Sequence, residues 1–148
     1  MRSANQKSIF GLLFKTANTL QTYLDHNLKG SGITSKQMLM MIMISSCNQE
    51  NPTLKDVAQL WGTSYQNIKQ IALKLEQKNL IEIVDNPNDK RSKCINLTSE
   101  ANHFWKARES DDQEEMKKLF SKFSDDELAQ FVTLLLKLID SIDGNQNV

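Results

Sequence analysis

At 148 residues, with 39% hydrophobic and 24% charged side chains, the chain is sized for one globular domain, or one small domain plus an interaction element. The longest apolar run, Met38 to Ile44, is well short of the roughly 20 residues that span a bilayer, and the N-terminal segment, interrupted by Lys7 and Lys15, lacks a secretory pattern, so a cytoplasmic protein is expected. Eighteen basic residues balance eighteen acidic ones unevenly: residues 1–52 hold five against two, residues 53–98 seven against five, and residues 99–148 six against eleven, which permits a DNA-facing middle and a solvated acidic tail.

From Ile9 to Leu28, the positions Ile9, Leu12, Leu13, Ala17, Leu20 and Leu24 recur at helical spacing, and Gly30 and Gly32 end the helix. A second helix starts near Thr34 or Ser35, either a plausible N-cap, and runs through MLMMIMISS. It is apolar nearly all round, so a buried central helix is expected, with its methionines as adaptable core filler. After the loop CNQENP, Thr53 caps a short helix LKDVAQLW, which Gly62 breaks. TSYQ, residues 63–66, has the form of a capping box with Thr63 as N-cap, and opens a helix to about Asn79 whose apolar residues are Ile68, Ile71, Ala72 and Leu75. Two short helices around a Gly-containing turn form a helix-turn-helix signature.

Next, IEIV and CINL are short β-prone runs bracketing DNPNDKRSK, which reads as a hairpin with a longer loop because Pro87 and the Asn/Asp cluster oppose regular structure. Ile81, Ile83, Ile95 and Leu97 can share one buried face, which makes the hairpin a wing. Thr98 or Ser99 caps a helix to about Phe120, and Ser124 caps the last, with three acids in its first turn where the helix dipole favours anions. Leu128, Phe131, Val132, Leu135, Leu138, Ile139 and Ile142 form an apolar stripe along it. A chain this small does not easily bury this stripe and the N-terminal one, so the two are expected to pack together across a dimer interface.

A DNA-reading helix presents polar side chains at its N-terminal end while its inner face anchors on the core. Ser64, Tyr65, Gln66, Asn67, Lys69 and Gln70 meet that description. Gln and Asn can bond adenine bidentately, and Tyr and Ser can reach phosphates or a thymine methyl. Lys74 and Lys78, further along, suit a phosphate or solvent. At the hairpin tip Lys90, Arg91 and Lys93 supply charge for the minor groove, Arg91 foremost because its guanidinium is weakly hydrated and carries several donors in a fixed fork. Asp89 is expected to position Arg91 or to cap the turn.

The order of elements, and the words LEQKNLIEI at 75–83, Asp89-Lys90-Arg91 and Leu97-Thr98, resemble the DNA-binding core of MarR-type transcriptional regulators. The resemblance covers nearly the whole chain. It implies a mainly α fold with a small β-hairpin wing: a dimerisation helix over 1–32, a winged helix-turn-helix over 33–98, and C-terminal dimerisation helices over 99–148. It also implies a homodimer on a pseudo-palindromic double-stranded DNA operator, with the helix from Ser64 in the major groove and Arg91 in the minor groove. Such proteins usually repress transcription, and many release DNA on binding a small aromatic or phenolic effector. Three positions depart from the family pattern. Asn79 replaces a Gly but tolerates the left-handed conformation, Ile83 replaces a frequent Arg at the wing base, and Ala101-Asn102 replaces the Gly after Leu-Thr.

Rival readings are fewer. His26 and His103 lie in no nucleophile motif and there is no phosphate loop, so no enzyme and no cofactor are expected. His26, Cys47, Cys94 and His103 show no metal-ligand spacing. Cys94, near the charged wing, is a weak redox candidate. A winged helix used for protein contact is the alternative from another class.

Overall fold

The computed structural model describes residues 2–146, and positions 1, 147 and 148 of the expected terminal segments lie outside the described residues. Eight elements follow in chain order: α1 (Arg2–Asn27), α2 (Ser35–Ser46), α3 (Leu54–Trp61), α4 (Tyr65–Gln77), β1 (Ile81–Asn86), β2 (Asp89–Leu97), α5 (Ser99–Leu119) and α6 (Asp125–Gln146). The chain divides into two units between Phe104 and Trp105, within α5.

In the first unit, local chemistry sets the helix starts. Thr34 and Thr53 each accept a hydrogen bond from the N–H three residues on, while the side chains of Gln37 and Asp56 accept from the cap's own N–H, so α2 and α3 both begin with capping boxes. The third start differs from expectation by one residue, since Ser64, not Thr63, is the N-cap of α4 and accepts from Asn67 N at 3.2 Å. The turn before it explains the shift. Gly62 takes the left-handed conformation (φ 72°), the Thr63 N–H folds back onto the Ala58 carbonyl at 3.0 Å, and the Thr63 hydroxyl accepts from the Asn67 side-chain amide rather than from a helix N–H.

The core of this unit gathers one face each of α2, α3, α4, β1 and β2. Met40, Met41, Val57, Ile68, Leu75, Ile81 and Ile95 are fully buried, each contributing about 1.5–3 kcal/mol of transfer free energy. All four apolar positions expected to anchor α4 are buried. The central helix α2 is not buried all round: Met40, Met41 and Ile44 face the core, but Ile42 is 39% exposed. In so small a unit one helix face suffices for the core, and composition alone does not tell which apolar residues win it.

The hairpin is longer and tighter than expected. Both strands run on through the polar segment, and Asn86 pairs with Asp89, so only Pro87 and Asn88 form the turn after a register irregularity at Asp85/Asn86. Pro87 sits in the turn itself, where its missing N–H costs no ladder bond. Ile81 pairs with Leu97 and Ile83 with Ile95; Ile81 and Ile95 are buried, Ile83 and Leu97 half-buried. The loop ahead of α3 also joins the sheet through a Thr53–Cys94 bridge and an Ile95 N–H bond to the Pro52 carbonyl at 2.8 Å. Asn79 does adopt the left-handed conformation (φ 57°) that ends α4, and its carbonyl accepts the Thr98 hydroxyl at 2.6 Å.

Outside this core the helices carry apolar side chains without burying them. No residue of α1 is buried, although the helix begins seven residues earlier than its apolar stripe. In the second unit Ser124 and Glu127 cap α6 reciprocally, and Phe123 stacks on Phe131 with ring centroids 6.3 Å apart. None of the described side chains of α6 is buried. Among the described residues, no helix is long and apolar enough to cross a membrane.

Candidate nucleic-acid interface

The helix-turn-helix consists of α3, the turn at Gly62–Ser64, and α4. Because Ile68, Ile71, Ala72 and Leu75 are inward, helical geometry turns Tyr65, Gln66, Lys69, Gln70 and Lys74 outward, and all five are exposed, as is the cap Ser64. Leu73, 45% exposed, shares this outer face and was not singled out from sequence, since an apolar residue in a helical pattern is read as core. Asn67 differs from its neighbours. It is half-buried, and its side-chain amide donates to the Thr63 hydroxyl at 3.0 Å, which fixes the orientation of the group closest to the turn.

Charge on α4 is cationic where it is exposed. Lys69 and Lys74 project from the outer face, whereas Lys78 just beyond the helix is tied to the Gly32 carbonyl and to Gln37 Oε1. Glu76, the one acid of the helix, accepts from the Ile83 N–H at 3.1 Å, so its carboxylate is engaged at the wing base.

At the wing tip, polar side chains build the turn and leave the cations outward. Asn86 Oδ1 accepts from Asn88 N at 3.0 Å and its amide donates to the Ser92 hydroxyl at 2.8 Å, while that hydroxyl donates to the Asp89 carbonyl at 3.2 Å. Asp89 Oδ1 accepts the Arg91 N–H at 2.9 Å. Lys90 and Arg91 are exposed. Lys93 is exposed too but forms an ion pair with Asp85, its cross-strand partner, so part of its charge is compensated. Asn86, Ser92 and Asp85 were missed as supporting residues. The Asx pattern of Asn86 two residues before Asn88 was the available signal.

The cysteines sit away from this chemistry. Cys94 is 1% exposed beside the Thr53 bridge, and an oxidant-sensing thiol needs access to solvent. Cys47 is half-buried along an open groove of about 440 Å³, lined also by Ser46, Asn48, Gln49, Asp56, Gln59 and Leu60. Desolvation and then the nearby Asp56 charge push its thiol pKa up, which disfavours the reactive thiolate. Among the described residues no group of three or more His, Cys, Asp or Glu is arranged to hold a metal ion.

No protein-family model matches the chain. Among curated proteins, the transcriptional activatory protein BadR of Rhodopseudomonas palustris is 22% identical, over 96% of this chain and 81% of its own length. Among solved structures, the MarR/EmrR family transcriptional regulator from Acinetobacter sp. ADP1 superposes with a TM-score of 0.82 at 23% identity, covering 94% of this chain and 97% of that one. The S. aureus MepR–DNA complex gives 0.77 at 25% identity, covering 89% of this chain and 97% of that one. With its capped helix-turn-helix and its wing both in place, the chain has the fold of the MarR family of winged helix-turn-helix transcriptional regulators.

Proposed function

We propose that the protein is a cytoplasmic, homodimeric, sequence-specific DNA-binding transcriptional regulator with no catalytic activity. In each half-site α4 lies in the major groove, where Ser64, Tyr65, Gln66, Asn67, Lys69 and Gln70 face the bases and nearby phosphates and Lys74 faces the backbone. The wing follows the adjacent minor groove with Arg91 leading and Lys90 and Lys93 beside it. The observation that carries this reading is the division of labour at the wing tip: Asp89, the acid two residues before Arg91 in sequence, is engaged by that residue's backbone N–H, while the Arg91 side chain stays exposed. Association through α1 and the C-terminal helices is supported by apolar side chains left in solvent, among them Phe10, Phe14, Leu134 and Leu136, each at least 60% exposed.

The sign of regulation follows from where the operator lies relative to a promoter. The sequence resemblance implies repression, while the BadR relative is named for activation. A second reading, a winged helix used for protein contact, is favoured by the zero net charge. Titration of a labelled duplex pool across salt concentrations separates the two. DNA binding through phosphates weakens steeply as salt rises, and Arg91→Ala costs about 1–3 kcal/mol. Binding that is absent, or indifferent to both salt and Arg91, selects the protein-contact reading. Adding small aromatic or phenolic compounds to the same titration tests effector release.

A further inference from the structure

The loop joining α1 to α2 is held by side chains from both ends of the first unit. Gly30 and Gly32 take left-handed conformations (φ 89° and 82°), and locally the Ser31 N–H and hydroxyl both donate to the Leu28 carbonyl, at 2.9 and 2.6 Å. From the α1 side, Asp25 Oδ1 accepts the Ser35 N–H at 2.7 Å. From the far side comes Lys78, which donates to the carbonyl of Gly32, 46 residues away, and to Gln37 Oε1, 41 residues away, at 2.8 Å. The same Gln37 oxygen accepts the Thr34 N–H at 3.2 Å, and Gln37 is only 5% exposed. One buried amide oxygen thus joins the start of α2 to the end of α4.

A lysine ammonium ordinarily stays hydrated and mobile, and fixing its long stem costs entropy. Here it is drawn to two neutral oxygens from different elements, a charge-assisted arrangement that ties the end of the reading helix to the loop leading out of α1. Lys78 follows α4 directly and precedes the left-handed Asn79, so its backbone is fixed on both sides.

We propose that Lys78 is a positioning residue that sets the pose of the winged helix on α1 and thereby, in the dimer, the separation of the two reading helices. This rests on the dimeric DNA-binding reading above. A dimer selects half-sites whose spacing matches the separation of its reading helices, so a looser clasp admits neighbouring spacings without altering the bases read within each half-site.

Two measurements on the full chain test this, with Lys78→Met keeping the stem without the donors and Lys78→Arg keeping donors and charge. The first needs no DNA: amide hydrogen exchange at Thr34 is expected to run about 3- to 10-fold faster in Lys78→Met, the loss of roughly one hydrogen bond's net contribution, and near wild type in Lys78→Arg. Unchanged exchange at Thr34 in Lys78→Met overturns the clasp. The second is selection from inverted repeats that differ only in half-site spacing. Wild type and Lys78→Arg are expected to enrich one spacing, and Lys78→Met to spread over adjacent ones with the same half-site sequence. A single unchanged spacing in Lys78→Met overturns the positioning role. If wild type enriches no inverted repeat, the DNA-binding reading and the spacing role fall together, while the exchange result still decides whether Lys78 holds the loop.

Discussion

The segment from Ile33 to Thr98 and the flanking helices α1 and α6 hold similar proportions of apolar residues and use them in opposite ways. In the first, Met40, Val57, Ile68, Leu75 and Ile95 reach 0% exposure, and polar side chains cap each helix start. In the second, Ile9, Phe10, Phe14, Phe131, Val132, Leu134 and Ile139 remain between 42% and 67% exposed. A region that closes its own core can present a rigid polar face to another molecule. A region that leaves its apolar face in solvent has stability still to gain, and a second copy of the chain is the partner proposed to supply it.

The contrast breaks first at Leu75. Leu75→Ala removes a fully buried side chain from the face that seats α4, and should lower unfolding stability by about 2–5 kcal/mol in denaturant titrations. Leu134→Glu, at a position 63% exposed, should leave the winged helix folded by circular dichroism yet weaken self-association. A central interface side chain is worth about 2 kcal/mol, so sedimentation should show a dissociation constant roughly 30-fold higher. If Leu134→Glu unfolds the chain without shifting its assembly, α6 belongs to a core rather than to an interface.

Acid gives a smaller effect, carried by Asp56 inside the self-contained region and by Asp25 of α1, which bonds the first residue of α2. Hydrogen bonds from the Thr53 hydroxyl and N–H hold the Asp56 carboxyl below its ordinary 3.8, and the Ser35 N–H does the same for Asp25. A carboxyl depressed in the folded state contributes stability that is fully present above the unfolded value and lost as pH falls through the lower folded one. Unfolding midpoints should therefore decline below about pH 4, and Asp56→Asn should flatten that decline. The smallest effect belongs to Asp85→Ala. It opens an exposed ion pair and should leave stability unchanged within error, while freeing Lys93 should steepen the salt dependence of DNA binding by up to about one counterion.

Much of this contrast was legible in the sequence because its determinants are local. Thr34, Thr53, Ser124 and the spacing of Ile68, Ile71, Ala72 and Leu75 act within one or two helical turns, and the structure follows them. What the sequence concealed depended on neighbours in space. Thr63 gave the cap of α4 to Ser64, its own hydroxyl being taken by the Asn67 side-chain amide and its N–H by α3. The wing loop shrank to two residues because Asn86, Ser92 and Asp89 bond one another, a pattern that a count of turn-forming residues reads as a longer loop. Cys94 looked close to the wing cations in sequence, yet it lies where the strand meets Thr53 and is buried. Lys78 looked like one more surface cation, since its acceptors are more than 40 residues away.

The central claim is that two such winged helices read one DNA site together. Selection of duplexes from a random pool by the purified protein, at one stated moderate salt concentration and with Arg91→Ala alongside, tests it most directly. The account predicts enrichment of an inverted repeat with half-sites about one helical turn apart, weakened in the variant. Enrichment of nothing by the wild-type protein, or of a site that Arg91→Ala binds equally well, would contradict it.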